Sequence, residues 1–145
     1  MTPFWDERVA QWVGARIWGR LDAFDNARAM GVLRGQELVA GLVFHNWEPE
    51  AGVIEVSAAA VDRRWLTRKV ATTAMRYAFD GCGCQMVLAR YSERNTPASK
   101  IWVALGSTEH SIPRLYGRSE GGIIATLTDE AWRVSKFNEV RNGQI

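Results

Sequence analysis

Cysteine is nearly absent from this chain of 145 residues, which holds two, Cys82 and Cys84, with Gly83 between them. Such near neighbours rarely meet disulfide geometry, and a structural zinc site would need two further ligands. Histidine is equally scarce, and His45 and His110 lie far from the pair in sequence. The expectation is no metal, with both cysteines as small apolar residues entering a strand from a Gly-flanked turn. An excess of one charge is lacking too. The 18 basic and 16 acidic residues leave +2, which permits anionic ligands without announcing a nucleic-acid binder. No apolar run approaches bilayer length, and the N-terminus lacks the charged-then-apolar pattern of a signal peptide. A cytoplasmic location without membrane contact follows as an expectation. Repeats, linkers and low-complexity segments are absent, so one domain over residues 1–145 is expected.

What is present suits an ordinary core. Hydrophobic residues make up 47% and charged ones 23%, which argues against disorder. Seven tryptophans are many for this length, and most should be core or interface. Trp5, Val9, Trp12, Val13 and Ile17 recur at helical spacing and predict an amphipathic helix over residues 4–19, stopped near Gly19. From Ala27 the period changes. Residues 29–33 and 38–44 are two strand-like runs around a short Gly-containing loop, a hairpin signal.

A turn at residues 48–52 leads to a central strand, Val53 to Val61, followed by a basic turn at 62–69 and a helix from Val70 to Phe79. A further strand is expected over Gln85 to Tyr91, then a helix opening near Thr96-Pro97 and stopped at Gly106. Residues 109–122 read as loop or weak strand, 123–127 as a closing strand, and Asp129 to Arg141 as a short helix with an acidic start. The sum is a mixed α/β domain.

A strand that runs into an arginine-rich helix start is a natural anion site, because the first-turn N–H groups and the helix dipole face whatever binds there. Arg63, Arg64, Arg68 and Lys69 bring four positive charges to that turn. Further on, Asn95, Ala98 and Leu105-Gly106 follow at spacings of three, seven and one. Alone, the basic turn also reads as a solvated helix start, and Asn95 as a turn former or helix cap.

In order and spacing, the stretch from Val61 through Arg68–Ala71 and Asn95 to Gly106 resembles the cofactor half of the GNAT superfamily of acyl-CoA-dependent N-acyltransferases. Trp65-Leu66-Thr67-Arg68 is similar to the helix opening of some small, phage-type members. The resemblance covers roughly residues 27–127. It implies a single GNAT-like domain with a central, mostly antiparallel sheet flanked by helices. It also implies transfer of an acyl group, most simply acetyl, from acetyl-CoA or another acyl-CoA to an amine by direct attack.

The family pattern at the helix start is Arg or Gln, two residues, Gly, any residue, then Gly or Ala. Here Ala71 meets it, while Leu66 and Lys69 stand at the Arg/Gln and first Gly positions. The cofactor contacts implied are Ala59 and Val61 on the strand, Thr67, Arg68, Lys69, Val70, Ala71 and Thr72 at the helix start, and Asn95. At the position where the family commonly has an acidic Tyr this chain has Trp102, whose indole N–H is a poor acid.

Acyl transfer to an amine needs a neutral amine, a polarised carbonyl and a proton route for the thiolate. An N–H near Ala59 or Val61 is expected to polarise the carbonyl. Glu55 is the one carboxylate inside the central strand, and alternation puts it on the face of Ser57 and Ala59. Glu55, Ser57 and Tyr91 are the candidate catalytic residues, with Ser92 and Tyr116 as alternative proton carriers.

The acceptor stays open at this level, as small molecule, protein or modified nucleobase, and a homodimer is compatible with the resemblance. Trp, Phe and Arg in the first helix, the loop after it and residues 110–120 read as core and solvated charge, or as a surface for stacking a nucleic acid. Two other readings remain beside the enzyme. One is a GNAT-like module that binds acyl-CoA or an anion without turnover. The other is nucleic-acid recognition through the basic turn.

Overall fold

Two apolar faces, one on each side of a single sheet, organise this chain. In its computed structural model, which describes residues 1–139, seven strands form one sheet in the order β1-β2-β3-β4-β5-β7-β6. The elements are β1 (Thr2–Trp5), α1 (Val9–Trp18), β2 (Arg28–Arg34), β3 (Glu37–Glu48), β4 (Val53–Ala60) and α2 (Arg68–Arg76). A π-turn (Tyr77–Gly81), β5 (Met86–Ser92), α3 (Thr96–Leu105), β6 (Thr108–Ile112), β7 (Gly122–Thr128) and α4 (Asp129–Arg133) complete it. Every strand pair is antiparallel except β4 with β5.

Alternation along the strands sorts the layers. Leu42, Phe44, Ile54, Val56, Val87, Ala89, Ala125 and Leu127 point to the side of α2, α3 and α4 and form the larger core with Val70, Ala74, Trp102 and Trp132. The opposite side carries the smaller cluster, in which Val9 and Val13 of α1 meet Ala29 and Val43. Gly41 makes that contact close. A Cβ there would stand 2.6 Å from Val9 Cγ1 and 2.7 Å from Val13 Cγ2, so α1 rests directly on the β3 backbone.

Five expected strands form, and the differences lie at element ends and at the sheet edges. The helix expected from residue 4 begins at Val9, because residues 2–5 are instead an edge strand in which Trp5 pairs with Met30. Asp6 ends that strand, its carboxylate accepting from Arg8 N–H at 2.9 Å, and Gly19 closes α1 at φ 69°. The helix expected to reach Phe79 stops at Arg76. The chain then opens into the π-turn, closed by Cys82 N–H donating to Tyr77 O at 2.8 Å. The weak strand signal after Gly106 is β6, an outer strand paired with β7. The expected tail helix is α4 alone, and residues 140 and 141 lie outside the described residues.

Candidate functional site

β4 and β5 pair over only three residues, Val53 to Glu55 against Met86 to Leu88. Beyond them the strands splay. Among the described residues, the edge of β4 facing β5 has no strand partner from Val56 to Ala60, and a cleft of about 960 Å³ opens there. The wedge is built by backbone, so it is present whatever fills it.

At the point of the splay stands Glu55, 9% exposed. Asn46 Nδ2 donates to its Oε1 at 3.1 Å, Arg90 Nε lies 3.6 Å from Oε2, and His45 Nε2 lies 3.8 Å from the same oxygen. His45 Nε2 is also 2.8 Å from Ser57 Oγ. These groups meet because His45 pairs directly across from Glu55 in the β3–β4 ladder, and because Asn46 adopts φ 51° where the register shifts beside it. Burial holds the His45 pKa below its ordinary value; Glu55 opposes that shift and Arg90 adds to it. His45 is therefore neutral at neutral pH. Tyr116 lines the same cleft from the β6–β7 connection, and burial pushes its phenol up.

The face expected for Glu55, Ser57 and Ala59 is the face observed, since the three register against His45, Val43 and Gly41. Tyr91 lines the same cleft but is not on their face. It points to the other side of the sheet, into the larger core, and donates to Glu109 Oε2 at 2.8 Å; that carboxylate oxygen also accepts from Ser99 Oγ at 2.7 Å. Burial, seconded by Glu109, raises its pKa, so the phenol keeps its proton. Ser92 is bound to Glu120 and is not a free carrier.

The N–H donors expected at Ala59 and Val61 need correction. Val61 N–H donates to Val39 O at 2.8 Å. In an antiparallel ladder the N–H groups alternate between the two sides of the strand. That bond sets the phase: Glu55, Ser57, Ala59 and Val61 present their N–H groups to β3, and Val56, Ala58 and Ala60 present theirs to the cleft. Ala58 and Ala60, not Ala59 and Val61, are the cleft-facing donors, and their small side chains leave the edge open.

The helix start is also more selective than expected. Thr67 is the N-cap of α2, its Oγ1 accepting from Val70 N–H at 3.2 Å, and Thr67 O accepts from Ala71 N–H at 2.9 Å. Val70 and Ala71 are fully buried core residues with their N–H groups taken. Thr72 turns away, donating to Phe137 O at 3.3 Å and accepting from Glu139 N–H at 3.1 Å. What remains for an anion is the first-turn N–H of Arg68 and Lys69 and the exposed side chains of Arg63, Arg64, Arg68 and Lys69. Among the described residues none of these four cations enters an ion pair; Asp62 is bound instead to Arg34 at 2.9 Å and caps Arg64 N–H at 2.8 Å.

Asn95 lines the cleft as the N-cap of α3, with Oδ1 accepting from Ala98 N–H at 3.2 Å and Nδ2 left over. Trp102, 7% exposed, fills the core beneath the cleft and supplies no acid. His45, Asn46 and Arg90 were missed by sequence reasoning. Continuing the β3 alternation one residue past Phe44 would have found His45.

A sheet whose one parallel pair splays beside a helix start and a polar cluster defines the GNAT class of fold. Solved structures bear this out. The chain is similar to a point variant of spermidine N-acetyltransferase SpeG from Vibrio cholerae, with 13% identity, TM-score 0.72, and 91% of this chain and 97% of that one covered. It is similar to a GCN5-related N-acetyltransferase from Brucella melitensis, with 19% identity, TM-score 0.66, and 81% and 58% covered. It spans 63% of a further acetyltransferase structure, at 17% identity and TM-score 0.67. No protein-family model matches the chain, and no curated protein does. The fold is that of the GCN5-related N-acetyltransferases. Among the described residues, no helix is long and apolar enough to cross a membrane.

Proposed function

We propose that this chain is an acyl-CoA-dependent N-acyltransferase, acting in the cytoplasm as a single domain over residues 1–145, that acylates an amine by direct attack. The observation that carries this reading is the splay of β4 from β5 beyond Glu55 and Leu88, with a buried polar cluster at its point. Acetyl-CoA, the acyl-CoA we favour, supplies the activated thioester when bound. The residues fit it: an open, alanine-lined strand edge suits an amide-bearing arm, and the α2 start with its four unpaired cations suits a pyrophosphate. Ala58 or Ala60 N–H donates to the carbonyl oxygen.

Neutral His45 accepts the proton the amine sheds, directly or through Ser57, whose Oγ is in hydrogen-bond contact with it. Glu55 keeps the negative charge that favours the imidazolium so formed, and Arg90 with Asn46 holds Glu55 in place. Tyr91, which lines the cleft and keeps its proton, is the candidate donor for the departing sulfur in place of Trp102, its O–H resting on Glu109 until then.

Titration of the purified chain with acetyl-CoA in a calorimeter tests the reading; no heat at high micromolar cofactor overturns it. A second reading, binding without turnover, is favoured by buried Trp102 at the position of the usual acid. It predicts cofactor binding with no thiol release above the hydrolysis blank over a panel of amines.

A further inference from the structure

The polar partners of His45 lie on the sheet. Ser57 Oγ stands 2.8 Å and Glu55 Oε2 3.8 Å from Nε2, and Arg90 holds the same Glu55 oxygen at 3.6 Å. Although His45 lines the cleft, its side chain is 11% exposed. Its apolar cover comes from outside the sheet. Phe24, in the segment between α1 and β2, rests on the imidazole with ring centroids 4.9 Å apart and planes tilted by 57°. Phe24 is itself half-buried against the smaller core cluster.

A close crossing of α1 brings Phe24 to that place. Arg20 N–H donates to Gly14 O at 3.4 Å. A Cβ on Gly14 would stand 2.7 Å from Arg20 O, 3.1 Å from Ala23 Cβ and 3.7 Å from Phe24 Cε2. The missing side chain lets the returning segment lie directly on the helix. Among the described residues no backbone hydrogen bond reaches residues 21–26, so packing on Gly14, on the smaller core and on His45 is what seats Phe24.

Charged and titratable groups stand around the imidazole from other directions. Glu55 and Arg90 face it from β4 and β5, Arg16 lines the cleft from α1, Arg20 and Asp25 from the segment that carries Phe24, and Tyr116 from the β6–β7 connection. Phe24 adds no charge to this set; it takes up space that water would fill. Burial is the largest of the causes that hold the His45 pKa down.

We propose that Phe24 is a positioning residue for the proton transfer, its ring keeping His45 turned toward Ser57 and Glu55 and shielding the imidazole from water. The inference rests on the acyl-transfer reading of the cleft, in which neutral His45 takes the proton of the amine. Phe24 makes and breaks no bond; it keeps the base uncharged to lower pH than an open imidazole would be.

The test is an NMR titration of the His45 ring C–H signal in the chain without ligand and in Phe24→Ala and Phe24→Leu, with His45→Gln to tell that signal from His110. In Phe24→Ala water reaches the ring, and the midpoint should rise by about half a pH unit or more. Phe24→Leu keeps an apolar side chain over the imidazole and should move it much less. The acid limb of kcat/KM for thiol release from acetyl-CoA, measured with an amine of the panel that is turned over, should rise with the midpoint. A midpoint that stays in place in Phe24→Ala, or moves as far in Phe24→Leu, overturns the inference. A midpoint that moves in Phe24→Ala while no amine is turned over overturns the acyl-transfer reading instead.

Discussion

Replacing Glu55 with Gln separates what the polar cluster does for the fold from what it does for chemistry. The substitution keeps volume and one carbonyl oxygen, so the 3.1 Å bond from Asn46 Nδ2 has an acceptor still. What is lost is the charge facing Arg90 at 3.6 Å. The Arg90 side chain is 47% exposed, which puts the pair among partly solvated ones contributing about 0–1 kcal/mol. The fold should therefore lose about 1 kcal/mol or less. Rate should suffer far more. A carboxylate that supports proton removal in the transition state is worth roughly 10²–10⁴ in kcat, or about 2.7–5.5 kcal/mol of barrier.

The pH profile carries a second signature. Burial and Arg90 both lower the His45 pKa, and Glu55 is the group that raises it. With Gln at position 55 only the lowering causes remain. The acid limb of kcat/KM, already below the ordinary histidine value, moves to lower pH while the plateau drops. The assay is thiol release from pH 5 to 9 with a parallel melting curve. Activity within about threefold of the unsubstituted chain, or an acid limb that moves upward, refutes the assignment of Glu55 and His45 to the proton route.

Three further outcomes are expected. Ala71→Glu places a carboxylate at a fully buried core position, so it should destabilise the fold by roughly 3–5 kcal/mol and lower the melting temperature sharply, rather than merely repel an anion at the helix surface. Gly41→Ala should cost about 1–3 kcal/mol by denaturant titration, since its methyl carbon would overlap Val9 and Val13 and lift α1 off the sheet. Because the folded His45 pKa lies below 6.5, the unfolded chain binds more protons in the window beneath that value; stability is full above pH 6.5 and falls as pH drops toward the folded pKa. His45→Gln should flatten that part of the melting temperature's pH dependence.

Strand β4 and its faces were legible because Ile54, Val56 and Ala58 alternate with Glu55 and Ser57 in sequence. Asn95 was legible as a cap for local reasons, whereas Thr67 was not, because the basic turn was read through to Lys69 and the helix from Val70 rather than Arg68. β1 was not, because Trp5 sits at helical spacing from Val9 and Trp12 although its partner is Met30, a contact between distant residues that no local period reveals. β6 is polar and mostly exposed, so it shows no buried alternation; pairing with β7 makes it a strand. The cluster around Glu55 was half legible. His45 and Arg90 reach it across ladders whose register is a property of the assembled sheet, and the choice of Ala58 over Ala59 as donor depends on the ladder's phase, which side-chain pattern does not encode.

β4 serves two masters with one alternation, and its length is constrained accordingly. Deleting or inserting a single residue between Val53 and Ala60 would carry every later side chain to the opposite layer. A deletion at residue 54 would turn Glu55 into the larger apolar core, at the position paired with Val87, and set Val56 against His45. It would also reverse which amides look into the cleft, so core, proton route and carbonyl donor would fail together. Two-residue changes preserve all three parities. Among chains with this site, the strand can drift in length by even steps, with the 48–52 turn and the basic turn at 62–67 taking up the difference.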